Sequence, residues 1–189
     1  MIRTVVILLW AGVLAACSPA TGGGRDAPTG AVLTLYGDIE TVDRGPSQAA
    51  LEPLFFAYGI EFGSACVFST ASLASLDQHE IRVDFPMGGD ERRFSGPLLR
   101  DVLAIAGPQG THLTVTALDG YQRTIPLEQV MAHDVILAIR ADGEWLGIGG
   151  YGPALLVWPR GTDPDLAGQT DDDWVWGVFA IESVTPDET

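Results

Sequence analysis

Lysine is missing from all 189 residues, and the ten basic residues are all arginine. Schiff-base chemistry through a lysine amine is therefore excluded. Positive charge is scarce too: 25 acidic residues against ten arginines give a net charge of −15. A nucleic-acid partner needs a basic footprint for its phosphates, and this balance argues against one. It also argues against anionic lipid as an electrostatic partner and against small anionic substrates, unless a local arginine cluster offsets the field. Cysteine is nearly absent, with Cys17 and Cys66 alone, so a Cys-rich metal site is excluded. His79, His112 and His133 lie in separate segments with no H-x-x-x-H spacing, and they read as strand-edge or loop residues rather than metal ligands. No serine sits in a G-x-S-x-G elbow, so no hydrolase nucleophile is indicated. What the chain has in quantity is apolar surface. A 47% hydrophobic content with five tryptophans is ample for one core and unlike a disordered acidic tail.

Part of that apolar content lies at the N-terminus. MIRT carries one positive charge and precedes VVILLWAGVLAAC, a run that ends in small residues before Cys17. The run is short for a bilayer span and has the three-part build of an export signal. Leu14, Ala15, Ala16 and Cys17 resemble the lipobox of bacterial lipoproteins. The resemblance implies cleavage before Cys17 and acylation of its thiol and new amino group. Residues 1–16 are then a lipoprotein signal peptide, and the mature chain is one unit more negative because Arg3 is lost. Ser18 is a non-Asp residue after the cysteine, which favours the outer membrane under the enteric sorting rule. The expected location is the periplasmic side of a bacterial membrane, with the lipid bilayer a partner through Cys17. Residues 17–30, CSPATGGGRDAPTG, read as a flexible tether. With Cys17 acylated, Cys66 has no intrachain disulfide partner. It reads as a buried small hydrophobe; exposed, it would be a redox-sensitive thiol.

Residues 31–189 are expected to form a single domain. Ala31–Gly37 and Glu80–Phe85 alternate apolar and polar residues and predict strands. A short helix is expected near Leu51–Ala57 and another over Ser69–Leu76, with Ser69 or Thr70 as N-cap. SGPLLRDVLAIAGP carries the clearest helix signal: Ser95 to cap, Pro97 in the first turn, and Gly107 then Pro108 to end it. Its predicted buried face is Leu98, Leu99, Val102, Leu103 and Ile105. Asp119-Gly120 and Asp142-Gly143 predict hairpins. Ala154–Pro159 and Trp174–Val184 predict further strands, the second placing Trp174 and Trp176 on one face. Few helices and many antiparallel strands give an α+β fold with one main sheet, mixed but mainly antiparallel and strongly curved.

Five segments carry a resemblance: Arg93–Leu103 (RFSGPLLRDVL), Leu118–Pro126 (LDGYQRTIP), Asp134–Leu146 (DVILAIRADGEWL), Tyr151–Pro159 (YGPALLVWP) and Trp174–Val184. In this order and spacing, over about residues 80–185, they resemble the oxidoreductase molybdopterin-binding domain of the sulfite oxidase superfamily. Within it they are similar to a short periplasmic branch. The resemblance implies that superfamily's fold. In its molybdenum enzymes a cysteine thiolate, at the end of the strand upstream of the G-x-x-L-R-D helix, ligates the metal. The matching stretch here, IRVDFPMGGDERRFSGPLLRD, holds no cysteine, and Asp84 lacks the softness of a thiolate. Cys66 falls too early in the chain, and would be a ligand only if its sulfur faced the pocket. The family's lysine-bearing anchor after the late strand is here RGTDPDLAGQTDDD, acidic and without lysine. No catalytic residue, metal ligand or bound cofactor is therefore expected. Molybdopterin is the cofactor the resemblance would imply, with Arg92, Arg93, Arg123 and Arg160 as candidate anchors for its phosphate. Tyr121, Trp174 and Trp176 are candidate lining for a flat ligand or a peptide.

Two further motifs are set aside on chemistry. GIGGYG, residues 147–152, matches G-x-G-x-x-G, but Pro153 and a strand follow where a dinucleotide site needs a helix N-terminus. Asp163, Asp165, Asp171, Asp172 and Asp173 match no calcium-loop spacing and read as a solvated acidic loop. Two functional readings result. The first is a membrane-tethered binding or accessory protein on an emptied enzyme fold, engaging an unidentified periplasmic small molecule or protein. The second is a molybdopterin-dependent periplasmic oxidoreductase with unfamiliar metal ligation. The position of Cys66 relative to the arginines discriminates them.

Overall fold

A computed structural model describes residues 30–186. Residues 1–16, expected to be a signal peptide, Cys17, and residues 18–29 of the expected tether lie outside the described residues. The chain runs β1 (Ala31–Gly37), α1 (Pro53–Ala57), β2 (Ala65–Ser69), α2 (Thr70–Ser75), β3 (Gln78–Asp84), β4 (Glu91–Pro97) and α3 (Leu99–Ala106). It continues through β5 (His112–Ala117), β6 (Gln122–Pro126), α4 (Leu127–Ala132), β7 (Ile136–Ala138), β8 (Arg140–Ala141), β9 (Glu144–Trp145), β10 (Leu155–Val157) and β11 (Val178–Val184). Two 3₁₀ turns, Pro164–Leu166 and Asp171–Asp173, punctuate the acidic loop. The fold is α+β with few short helices and mainly antiparallel strands.

The strands divide among three sheets rather than one. A five-stranded sheet has the order β2-β1-β11-β5-β6, a four-stranded one β3-β4-β8-β9, and β7 pairs with β10. Among the described strands only β1 and β11 pair in parallel, with Thr34 opposite Ala180, so β1 and β11 lie side by side. Alternation explains the registers. Leu33, Leu35, Leu113, Val115 and Ile181 are fully buried, and they pack with the α3 residues Leu99, Val102 and Leu103 in one core. A smaller aromatic cluster, Tyr36, Phe55, Ile60 and Phe179, packs against the other side of the five-stranded sheet.

Several local expectations hold. Ser69 caps α2 in a reciprocal capping box with Ser72. Asp142 and Gly143 both take positive φ, as a two-residue hairpin turn requires. Gly107 ends α3 in the left-handed conformation at φ 66°. Others do not. Ser95 caps nothing: it lies in β4 opposite Arg140, and α3 begins after Leu98 with no side-chain cap. The β3–β4 hairpin consumes residues that read as a polar loop and a helix start, because Glu91, Arg92 and Arg93 are exposed while Ile81, Val83 and Phe94 face the core. Ile105 is exposed and Ala106 takes its place in the core. Gly96 explains how tightly β4 lies on its neighbour, since a Cβ there would sit 2.0 Å from the Leu137 carbonyl oxygen. Among the described residues, no helix is long and apolar enough to cross a membrane.

Candidate functional site

The chain leaves β3 through Asp84 and Phe85 and turns back at Pro86–Gly89. Phe85 is buried and stacks on Trp174, with ring centroids 5.2 Å apart and planes at 12°. Tyr151 meets it edge-on at 5.2 Å and Phe94 at 6.3 Å. The strand end is thus closed by four aromatic rings. Arg160 lies over the Trp174 ring at 4.3 Å. It is 7% exposed, yet it is fully engaged. Its Nη2 donates to the Asp84 backbone carbonyl and, at 3.2 Å, to Asp84 Oδ1; its Nη1 donates to Asp171 Oδ1. The Met87 and Gly88 amides donate to Asp171 Oδ2 and Asp84 Oδ2, each at 2.7 Å. The Gly88 amide and then the Arg160 guanidinium hold the Asp84 carboxyl below the usual carboxylate range.

The acidic loop is largely exposed, as expected, and part of it also straps over this cluster. Besides Asp171 on Arg160, Asp173 accepts from Arg123 Nη2 at 2.7 Å. The Tyr121 hydroxyl donates to the Asp172 carbonyl at 2.9 Å, and Trp158 Nε1 donates to the Asp173 carbonyl at 3.0 Å. The hydrogen bond to Asp173 raises the Arg123 pKa. Two polar groups here lack partners: the Gln169 side-chain amide and Trp174 Nε1 are buried without a hydrogen bond.

Of the residues singled out in the sequence, Arg160, Trp174, Tyr121 and Arg123 gather around this strap. Arg92 and Arg93 do not. They line a shallow concavity of about 280 Å³ with Arg82, Glu91 and Asp142 on the β3–β4 hairpin. Trp174 and Trp176 do not share a strand face, because β11 starts only at Val178. Trp174 is buried under Arg160, while Trp176 is 41% exposed. Cys66 sits in β2 opposite Leu35, in the core and in a different sheet from β3 and β4. Burial, and then the charge of Asp43, push its thiol up to about 11. Gly147–Gly152 is a loop followed by β10, with no helix to receive a pyrophosphate.

The structure also joins residues that sequence distance concealed. His133 Nδ1 lies 2.7 Å from Asp163 Oδ2, and that contact is the main reason the Asp163 carboxyl titrates low. Both line a cleft of about 410 Å³ that includes His79, Glu80 and Asp134. No group of three His, Cys, Asp or Glu side chains among the described residues converges as a metal site.

A family model bears on the strand–turn–strand–helix unit that builds this site. The model, oxidoreductase molybdopterin binding domain, matches residues 61–160, from just before β2 to Arg160. The chain belongs to this family. The molybdopterin-binding domain is also similar in fold to a solved structure, the sulfane dehydrogenase SoxCD from Paracoccus pantotrophus. The two share 22% identity at a TM-score of 0.56, over 82% of this chain and 38% of that one. At that identity the likeness is one of fold, and this chain spans well under half the other's length. No curated protein matches.

Proposed function

We propose that this chain is a membrane-tethered periplasmic lipoprotein whose molybdopterin-binding domain acts as a binding or accessory protein without a molybdenum centre. The observation that carries the reading is the end of β3. There Phe85 is stacked on Trp174 and flanked by Tyr151 and Phe94, and this strand end is where the resemblance to the molybdenum enzymes would put a metal-ligating thiolate. The donor set does not fit the metal-bearing group. Cys66 is a buried thiol in another sheet whose burial disfavours ionisation, and a soft metal needs a thiolate. The cationic groups that could hold an anionic pterin phosphate are already neutralised: Arg160 by Asp84 and Asp171, and Arg123 by Asp173. Arg92 and Arg93 face a separate concavity. The lipid anchor at Cys17 and the periplasmic, outer-membrane location rest on the lipobox and Ser18. The ligand or partner is a periplasmic small molecule or protein.

The test is to express the full chain in a host that makes molybdenum cofactor. Molybdenum in the purified protein is measured by mass spectrometry, and pterin by fluorescence after oxidation. Folded protein with neither signal is the expected result. Near-stoichiometric metal and pterin would overturn the reading and make the protein a redox enzyme.

A further inference from the structure

A largely apolar concavity opens beside the point where the described chain begins. It has a volume of about 200 Å³ and is lined by Ala31, Val32, Thr34, Phe55, Leu118, Ile148, Pro153 and Phe179. No charged side chain lines it, in a protein with 25 acidic residues. Ile148 on its wall is 79% exposed, the most exposed large apolar side chain among the described residues. The exposed Trp176 is next to Gly177, whose carbonyl accepts from the amide of the groove-lining Leu118 and whose amide donates to the Tyr151 carbonyl.

We propose that this groove is the face with which the domain seats on the lipid bilayer, with Ile148 and Trp176 entering the interfacial layer. The proposal rests on the lipid anchor at Cys17. Twelve residues, Ser18 to Thr29, separate that cysteine from Gly30, and β1 starts at the groove with Ala31. A flexible coil of twelve residues has an r.m.s. span of about 19 Å. A domain of this size has a radius of gyration of about 15 Å. The tether therefore holds the groove close to the membrane, and only faces adjoining the exit point reach it easily. The tether cannot fill the groove itself, because SPATGGGRDAPT has no large apolar side chain. The net charge of −15 repels an anionic leaflet, so the contact must use a face without carboxylates. Tryptophan suits the interface, where its ring is half in lipid and its N–H in water. The contact is apolar and should be insensitive to salt.

The experiment uses full-length lipidated protein in phosphatidylethanolamine–phosphatidylcholine vesicles, with Ile148→Cys carrying an environment-sensitive fluorophore. Ile105→Cys on α3, exposed but outside the groove, is the control. Acylation of Cys17 is measured separately by mass spectrometry of the same sample. The expected result is a blue-shifted emission at position 148, quenched by nitroxide-bearing lipid, unchanged in 0.5 M salt (about 4 Å screening length by interpolation) and absent at position 105. Acylated protein with no shift at 148, or an equal shift at 105, would overturn the seat while leaving the anchor. A shift that follows protein density and resists the lipid quencher would assign the groove to a second copy of the chain and also overturn it. Protein that is exported but not acylated would overturn the anchor, and the seat with it.

Discussion

Arg160 shows how one side chain can decide what a site is able to hold. A buried guanidinium with five donors binds two carboxylates and a backbone carbonyl here, so little of its hydrogen-bonding capacity remains for a ligand. Arg160→Gln should lower stability by about 2 kcal/mol, because it leaves Asp84 and Asp171 facing each other with only partial solvent screening. Arg100→Gln removes an exposed pair with Asp134 and should cost under about 1 kcal/mol. Urea unfolding of both variants checks the ordering. Cys66 gives a second prediction. Its folded pKa of about 11 lies above the ordinary thiol value of 9.0, so the unfolded chain loses its proton first as pH rises. The thiol's contribution is fully present below about pH 9 and is lost as pH rises toward 11. Tyr36, also raised by burial, adds to the alkaline loss. Thermal melts between pH 7 and 11 should show Cys66→Val losing less stability than the parent, and parallel curves would mean that the thiol has no part in the alkaline loss.

At the scale of elements, the α3 end and the β3–β4 hairpin set the geometry. Gly107 takes φ 66°, and a Cβ there would also come 3.1 Å from the Glu40 side chain. Gly107→Val should therefore destabilise the domain by at least about 1 kcal/mol. An unchanged melting midpoint would remove that role. The hairpin matters more for function. Its turn supplies the Met87 and Gly88 amides that fix the two carboxylates on Arg160. The four-ring cluster around Phe85 forms just past the end of β3, where Phe85 comes within 6.3 Å of Phe94, the β4 residue opposite Ile81.

Across the whole molecule, charge has the largest reach. Every described arginine outside the β3–β4–β8 region is paired with an acid, and the excess acids remain at the surface. Self-repulsion at a net charge of −15 should make the folded state salt-dependent. The melting midpoint at pH 7 is expected to rise between about 10 mM and 150 mM sodium chloride, over which the Debye length falls from about 30 Å to about 8 Å. A midpoint that falls instead would mean that the arginine–aspartate pairs under the strap outweigh the repulsion.

Much was legible in the residues themselves. The missing lysine ruled out Schiff-base chemistry outright, because no fold can supply an absent functional group. Glycines at hairpins and the α3 end, and the alternation in β1 and β3, are local signals with local causes, and they survived into the structure. The strand β4 did not show, because Glu91, Arg92 and Arg93 are exposed and, of its buried Phe94, Gly96 and Pro97, only the phenylalanine is a strand former. The seven candidate site residues divided into groups for a reason no spacing carries. Arg160 reaches Asp84 across 76 positions, and Arg123 reaches Asp173 across 50, through sheet pairings that only the packed chain creates. Sequence determined which groups were available; tertiary packing decided which carboxylate each arginine met, and that Phe85 and Trp174 close the strand end.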